Sequence, residues 1–256
     1  MADLASGDLD GLPDDFTHLV HFAAWQGKAL DHDRAIRANA EATGLVMNHC
    51  RRATGALIAS TNSVYRPHQD PMHRYVETDP LGDATAPHSP TYGVSKVSQE
   101  AVARTMARVL DLPTTITRIN ASYGPNGGLP AYHGDWVAAG ESVWLREPGP
   151  NAYSPIHEDD MARQVEALLE AASAPATIVN WCGDDVVTAE EWVALYGAHL
   201  GVEPKLARYE LPGGQPGSAG DPTRRLSLTG PCAIDWRVGM IATLDARVDS
   251  TNSASN

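Results

Sequence analysis

Short apolar runs alternate along the chain with stripes of helical spacing. Thr17-His18-Leu19-Val20-His21-Phe22, Ala56-Leu57-Ile58-Ala59, the β-branched stretch from Thr114 to Ile119, and Ala176 to Trp181 are of strand length. The second of these runs into Ser60 and Thr61, as a buried parallel strand does when its carboxyl end opens into a site. Ile36, Ala40, Val46, Met47 and Cys50 predict an amphipathic helix from Asp31 to about Ala53. Pro90 precedes a second helix from about Tyr92, with Val97, Ala101, Val102, Thr105 and Val109 as its apolar stripe and Asp111-Leu112-Pro113 as its end. Met161, Val165, Leu168 and Leu169 set a third over Glu158 to Ala172, its acidic start suited to the positive end of the helix dipole. Thr188-Ala189-Glu190-Glu191 is a capping box opening a fourth, which Gly201 stops. The Gly/Pro/Ser stretch from Pro212 to Asp221 and the polar tail from about Val248 are expected to be disordered.

Composition narrows the classes of function. A chain of 256 residues, 43% hydrophobic, can bury a core in one domain or in one domain with a lobe. Its formal charge of −13 argues against nucleic acid, whose phosphates are held by clustered Lys and Arg. Cys50, Cys182 and Cys232 are too few and too scattered for a disulfide framework or a zinc knuckle. No apolar run nears membrane-spanning length, and Met1-Ala2-Asp3-Leu4 is acidic where a signal peptide is basic, so a cytoplasmic protein with no membrane partner is expected. His18 and His21 lie three apart on a strand and face opposite sides, so they cannot share a metal, and none is expected.

The chemistry concentrates in Thr91-Tyr92-Gly93-Val94-Ser95-Lys96 and Ser60-Thr61-Asn62-Ser63-Val64-Tyr65. On a helix, Tyr92 and Lys96 share a face. A free phenol ionises near pH 10, too high to exchange protons in neutral water. A cation at roughly 4 Å in a partly desolvated cleft favours phenolate by up to about 4 kcal/mol, which would bring the group within reach of neutrality.

Taken in order, Ser60-Thr61-x-x-Val64-Tyr65, Glu77-x-x-Pro80 and Ser89-Pro90-x-Tyr92-x-x-x-Lys96 resemble the extended short-chain dehydrogenase/reductases, the NAD-dependent epimerase/dehydratase group. Phe22-Ala23-Ala24, Asn39 with Thr43, Arg118 followed by Tyr123-Gly124-Pro125, and Pro155 to Asp160 extend the resemblance over roughly residues 2 to 240. It implies an α/β fold, a Rossmann-like doubly wound parallel sheet with a smaller C-terminal substrate-binding lobe. The expected division is a nucleotide domain over 1–122 and a lobe over 123–247, with strand 176–182 returning to the sheet and a disordered tail at 248–256.

The resemblance also implies roles. Tyr92 is the general acid/base, Thr61 holds the reacting oxygen, and Lys96 tunes the phenol and binds the nicotinamide ribose. Asp3, Leu4, Ala23, Ala24, Ser60 and Asn120 join Tyr92 and Lys96 at the cofactor, NAD or NADP, and Asn39 is a positioning residue near Lys96. The substrate is a small molecule, oxidised, reduced or epimerised at a hydroxyl-bearing carbon. Sugar 4,6-dehydratases of this group follow the Thr with Asp and Glu; Asn62 and Ser63 stand here, which disfavours dehydration. Ala121 stands where nucleotide-sugar enzymes have an Asn that contacts substrate phosphates, which puts that substrate class in doubt. Arg224 and Arg225 are either anion contacts or solvated surface.

The family's Gly-x-x-Gly-x-x-Gly turn, which holds the cofactor pyrophosphate, has no counterpart in this sequence. The chain thus reads as N-terminally truncated, with Thr17 to Phe22 an exposed apolar edge. Poor solubility, a homodimer through that edge, or membership of a longer product is the expectation. A noncatalytic dinucleotide-sensing or protein-interaction module is the rival reading. A serine hydrolase is set aside because no Gly-x-Ser-x-Gly elbow surrounds Ser60 or Ser63.

Overall fold

The computed structural model describes residues 4, 6–9, 11–13, 15–86 and 89–254. In chain order the elements are β1 (His18–His21), α1 (His32–Ile36), a π-helical turn (Arg37–Glu41), α2 (Ala42–His49), β2 (Gly55–Thr61), α3 (Tyr92–Leu110), β3 (Thr114–Ile119), β4 (Ser122–Tyr123), α4 (Leu129–Ala138), β5 (Ser142–Glu147), β6 (Ala152–Tyr153), β7 (Ile156–His157), α5 (Glu158–Glu170), β8 (Thr177–Trp181), β9 (Val187–Thr188), α6 (Ala189–Leu200), β10 (Lys205–Glu210), α7 (Thr223–Thr229) and α8 (Trp236–Ala254). They form two units. One comprises the chain up to Pro67, Glu77–Ile119 and Gln164–Asn180; the other comprises His68–Val76, Asn120–Arg163 and the chain from Trp181 on. The division falls at Ile119, three residues before the expected boundary, and the second unit also takes His68–Val76.

The first unit is built on a sheet of order β1-β2-β3-β8, in which β1, β2 and β3 run parallel, His18 opposite Gly55 and Ala56 opposite Thr114. Six of the seven residues of β2 are buried, as its apolar run requires of a strand covered on both faces. Leu57 and Ile58 are wholly buried, each worth roughly 1.5–3 kcal/mol relative to exposure. Met47, Ala103, Ala107, Leu112 and Ile116 complete this core. β1 is an edge strand among the described residues, with His21 turned inward and Val20 and Phe22 half-exposed.

Both helices on this sheet differ from the apolar stripes of the sequence. In α1 and α2 the buried positions are Ala35, Asn39, Ala40, Ala42, Thr43 and Met47. The π turn inserts residues between helical turns, so Ile36 and Val46 are only half-buried. In α3 the buried face is Ser95, Lys96, Gln99, Glu100, Ala103 and Ala107, whereas Val109, expected inside, is 72% exposed. The inward face is small and polar because it carries a buried ion pair and the candidate site.

The second unit has its own core, in which Trp192, Tyr196, Val143, Met240 and Leu244 join α4, α6 and α8. β5 and β10 form a parallel pair beside it. Thr188 closes the expected capping box on Glu191 and Gly201 ends α6 in left-handed backbone. One segment expected to be disordered is built in. Ser218 N–H donates to Ala152 O and Tyr75 N–H to Ala219 O, so the Gly/Pro/Ser stretch is pinned to its neighbours. α8 runs to Ala254, with Val248 against the core and Arg247 paired with Asp135, and the end of the expected tail, 255–256, lies outside the described residues. Arg225 is wholly buried, ion-paired with Asp184 and bonded to Cys182 O, so it is a structural residue of this unit.

Candidate active site

The site gathers where β1 and β2 end and α3 begins. Thr61 is the last residue of β2; its Oγ1 accepts from Ser63 N–H at 3.2 Å and so caps the short turn Asn62–Val64. α3 enters beside that turn because residue 93 is glycine. A Cβ there would lie 2.8 Å from Ser63 O and 2.9 Å from Ala84 O. This close approach brings the start of α3 against the end of β2, where Thr61 and Gln26, from the loop after β1, bear on the ionisation of the Tyr92 phenol.

Burial pushes the phenol above its usual pKa, and Gln26 and Thr61 pull it partly back. This corrects the expected electrostatics: desolvation outweighs any pull from Lys96, whose Nζ sits 5.8 Å from the centre of the Tyr92 ring. Lys96 itself is 1% exposed and donates to Ala59 O at 2.6 Å. Its pKa falls to about 8, chiefly through desolvation and against the pull of Glu100 one turn on.

Glu100 holds the buried end of the site. Arg118 Nε and Nη2 reach its two oxygens at 3.0 and 2.8 Å, and Ser60 Oγ donates to it at 2.6 Å. Arg118 also donates to Tyr65 Oη and Glu77 O, and Tyr65 donates to Asn180. Every charge in this network is paired and hydrogen-bonded, as a buried pair must be. Ser60, predicted beside the cofactor, is thus bonded into this network.

Asn39 lies at the π turn. Its Oδ1 accepts from Trp25 N–H at 2.6 Å, while its Nδ2 faces Trp25 O at 3.0 Å and Ser95 Oγ at 2.9 Å. One turn on, Thr43 Oγ1 donates to Asn39 O, accepts from Gln99 Nε2 and lies 3.0 Å from His21 Nε2. A hydroxyl has one hydrogen, so His21 is the donor and carries its proton on Nε2.

The remaining predicted cofactor residues are placed as follows. Ala23 and Ala24 are exposed beyond the carboxyl end of β1, small enough to let a flat group approach. Leu4 closes a turn on Gly7, and Asp3 lies outside the described residues. Asn120 belongs to the second unit, where its Oδ1 accepts from Ala121 and Ser154 N–H at 2.9 Å each and its Nδ2 donates to Ser218 O. Its amide is committed to backbone. Gln26 and Glu100 escaped the sequence reading, and Gln26 lies in a loop where no periodicity marks it. Among the described residues no cluster of His, Cys, Asp and Glu fits a metal, and no helix is long and apolar enough to cross a membrane.

The nicotinamide end of a dinucleotide fits these residues. The Lys96 ammonium spends one of three N–H groups on Ala59 O, and a buried cation with donors to spare suits ribose hydroxyls.

Among solved structures, MoeE5 in complex with UDP-glucuronic acid and NAD matches at 23% identity and a TM-score of 0.80, over 97% of this chain and 85% of that one. UDP-glucuronic acid 4-epimerase from Bacillus cereus matches at 19% and 0.80, over 97% and 79%. The dTDP-glucose 4,6-dehydratase DesIV from Streptomyces venezuelae matches at 21% and 0.81, over 98% and 80%. These likenesses show the fold, and no curated protein matches significantly. Residues 3–182 match the NAD dependent epimerase/dehydratase family, and the chain, with its parallel sheet, belongs to it.

Proposed function

We propose that this protein catalyses NAD-dependent oxidoreduction or epimerisation at a hydroxyl-bearing carbon of a small molecule, with Tyr92 as the general acid/base. The observation that carries the reading is Tyr92 at the start of α3 with the buried Lys96 one helical turn on, its Nζ 5.8 Å from the centre of the phenol ring, while Thr61 ends β2. Bound NAD supplies the hydride acceptor. Lys96 would hold the nicotinamide ribose with its unspent N–H groups. Thr61 Oγ1 orients the substrate oxygen, and Tyr92 Oη takes its proton during oxidation and returns one during reduction. Because burial favours the neutral phenol, the resting site is set to donate a proton, which suits the reducing half of an epimerisation.

Asn62 and Ser63 follow Thr61, and neither side chain is an acid or base for eliminating water. This supports epimerisation or simple oxidoreduction over dehydration. The UDP-glucuronic acid bound in two of the similar structures makes a sugar the first substrate class to test. Replacing Tyr92→Phe is expected to lower kcat by at least roughly a hundredfold, within the contribution typical of acid–base catalysis, and to leave the Kd for NAD within about threefold. NADH formation in stopped flow measures the first, and calorimetric titration the second. Full turnover in the Phe variant removes Tyr92 from the mechanism, and NAD binding without turnover by the parent supports a dinucleotide-binding module.

A further inference from the structure

Lys96 and Glu100 stand one turn apart on α3, 1% and 4% exposed, an ammonium and a carboxylate at the spacing at which helical side chains meet. Buried charges so placed are expected to pair. Yet among the described residues no ion pair joins them. Lys96 Nζ donates to Ala59 O at 2.6 Å, and both Glu100 oxygens are taken by Ser60 and Arg118. These two residues are register partners on β2 and β3, so their side chains lie side by side on the sheet face that meets α3. Ser60 Oγ donates to Glu100 Oε1 at 2.6 Å, the length of a charge-assisted bond, while the Arg118 fork holds Oε1 at 3.0 Å and Oε2 at 2.8 Å. Arg118 cannot follow the carboxylate elsewhere, because Tyr65 Oη and Glu77 O each accept from its Nη1 at 3.0 Å.

We infer that Ser60 and Arg118 are positioning residues for cofactor binding: by holding the Glu100 carboxylate off Lys96, they leave the ammonium N–H groups free for the nicotinamide ribose. This rests on the reading of Lys96 as the ribose ligand. An ammonium has three N–H groups, and Ala59 O uses one. A carboxylate closing on Lys96 would take a further N–H and compete directly with the ribose oxygens. Ser60 and Arg118 act only through Glu100 and Lys96, so neither is a catalytic residue. The titratable groups bearing on Lys96 are Tyr92 and Glu100 on α3 and His21 on β1, with Arg118 of β3 behind Glu100.

The first readout needs no ligand. Lys28 and Lys205 are the other lysines of the chain. With Lys28→Arg and Lys205→Arg in place, the carbon-13 resonance of Lys96 Cε followed against pH gives its midpoint, about 8 in the parent. Ser60→Ala removes one hydrogen bond and changes no charge. As Glu100 swings toward Lys96, the midpoint should rise by about one pH unit, and the calorimetric Kd for NAD should weaken about tenfold. Ser60→Thr keeps the hydroxyl and should match the parent in both. Arg118→Lys, a point charge in place of a fork, should move both quantities in the direction of Ser60→Ala, and decides the matter should Ser60→Ala not fold. Adding Glu100→Gln to Ser60→Ala should return the Kd to within about threefold of the parent, a rescue that a purely structural Ser60 does not give. A Lys96 midpoint unmoved in both Ser60→Ala and Arg118→Lys overturns the inference. If the midpoint rises while the Kd for NAD stays unchanged, the hold on Glu100 stands and the ribose reading of Lys96 fails instead.

Discussion

At Lys96 a requirement of chemistry meets a cost in folding. Its pKa drops from 10.5 to about 8 on burial, while Glu100 opposes the drop. Below about pH 8 the lysine is charged in both folded and unfolded chains, and the folded state bears the full desolvation penalty, roughly 3 kcal/mol from the size of the shift. Between about 8 and 10.5 the unfolded chain binds more protons, so stability contributed by this group rises with pH. Lys96→Met should therefore raise the Tm of the ligand-free protein at pH 7 by several degrees, and by less toward pH 10, while abolishing turnover. Thermal melts at the two pH values decide it; a lower Tm at both would mean that the bond to Ala59 O outweighs desolvation. The Tyr92–Lys96 pair was legible because its spacing is a property of any helix. Glu100 and Gln26 were harder, since a polar residue in a buried ion pair or in a loop has no repeating pattern to mark it.

At the scale of elements, α3 shows why apolar periodicity pointed to the wrong face. Val94 and Val109 lie outward at 47% and 72% exposure, while Lys96, Gln99, Glu100, Ala103 and Ala107 lie inward. The inner residues also recur at three- and four-residue spacing, so a stripe was present, but it was written in small and polar side chains. Hydrophobicity alone could not show it, because polar pairing and close approach, rather than apolar area, hold this helix on the sheet. The short strands read correctly, β2 above all, since a strand buried on both faces must be apolar throughout. Close approach is testable at Gly93, whose added Cβ would meet two backbone carbonyl oxygens. Neither carbonyl can turn aside as a flexible side chain can. Gly93→Ala should cost about 1–3 kcal/mol, seen as a lower urea midpoint at unchanged m value, and should reduce kcat more than KM because Tyr92 moves away from Thr61. An unaltered midpoint would show that α3 slides without penalty.

For the whole molecule, the two units share one vulnerability, a buried neutral histidine in each. His21, at the inner end of β1, is lowered from 6.5 to about 4 by desolvation first and by the Lys96 charge second. His133, in α4, is lowered to about 4 by desolvation, and its Nδ1 accepts from Trp192 Nε1–H at 3.1 Å. In the unfolded chain both take up protons below pH 6.5; in the folded protein neither does until about pH 4. The unfolded state therefore binds two more protons through that window, and stability falls as pH falls, by about 1.4 kcal/mol per pH unit for each histidine and at most roughly 3 kcal/mol from each. The contribution is complete above pH 6.5. Acid should thus weaken each unit between about pH 6.5 and 4. Replacing both histidines with glutamine keeps a donor for Thr43 and an acceptor for Trp192, removes the titration and costs some packing at neutral pH. Urea unfolding at pH 7, 6 and 5 should then give a double variant less stable than the parent at pH 7 but with a slope against pH shallower by about two protons. Equal slopes in parent and variant would show that these rings are not what makes the fold sensitive to acid. A shallower slope by one proton would assign the effect to a single unit, which the two single variants would then identify.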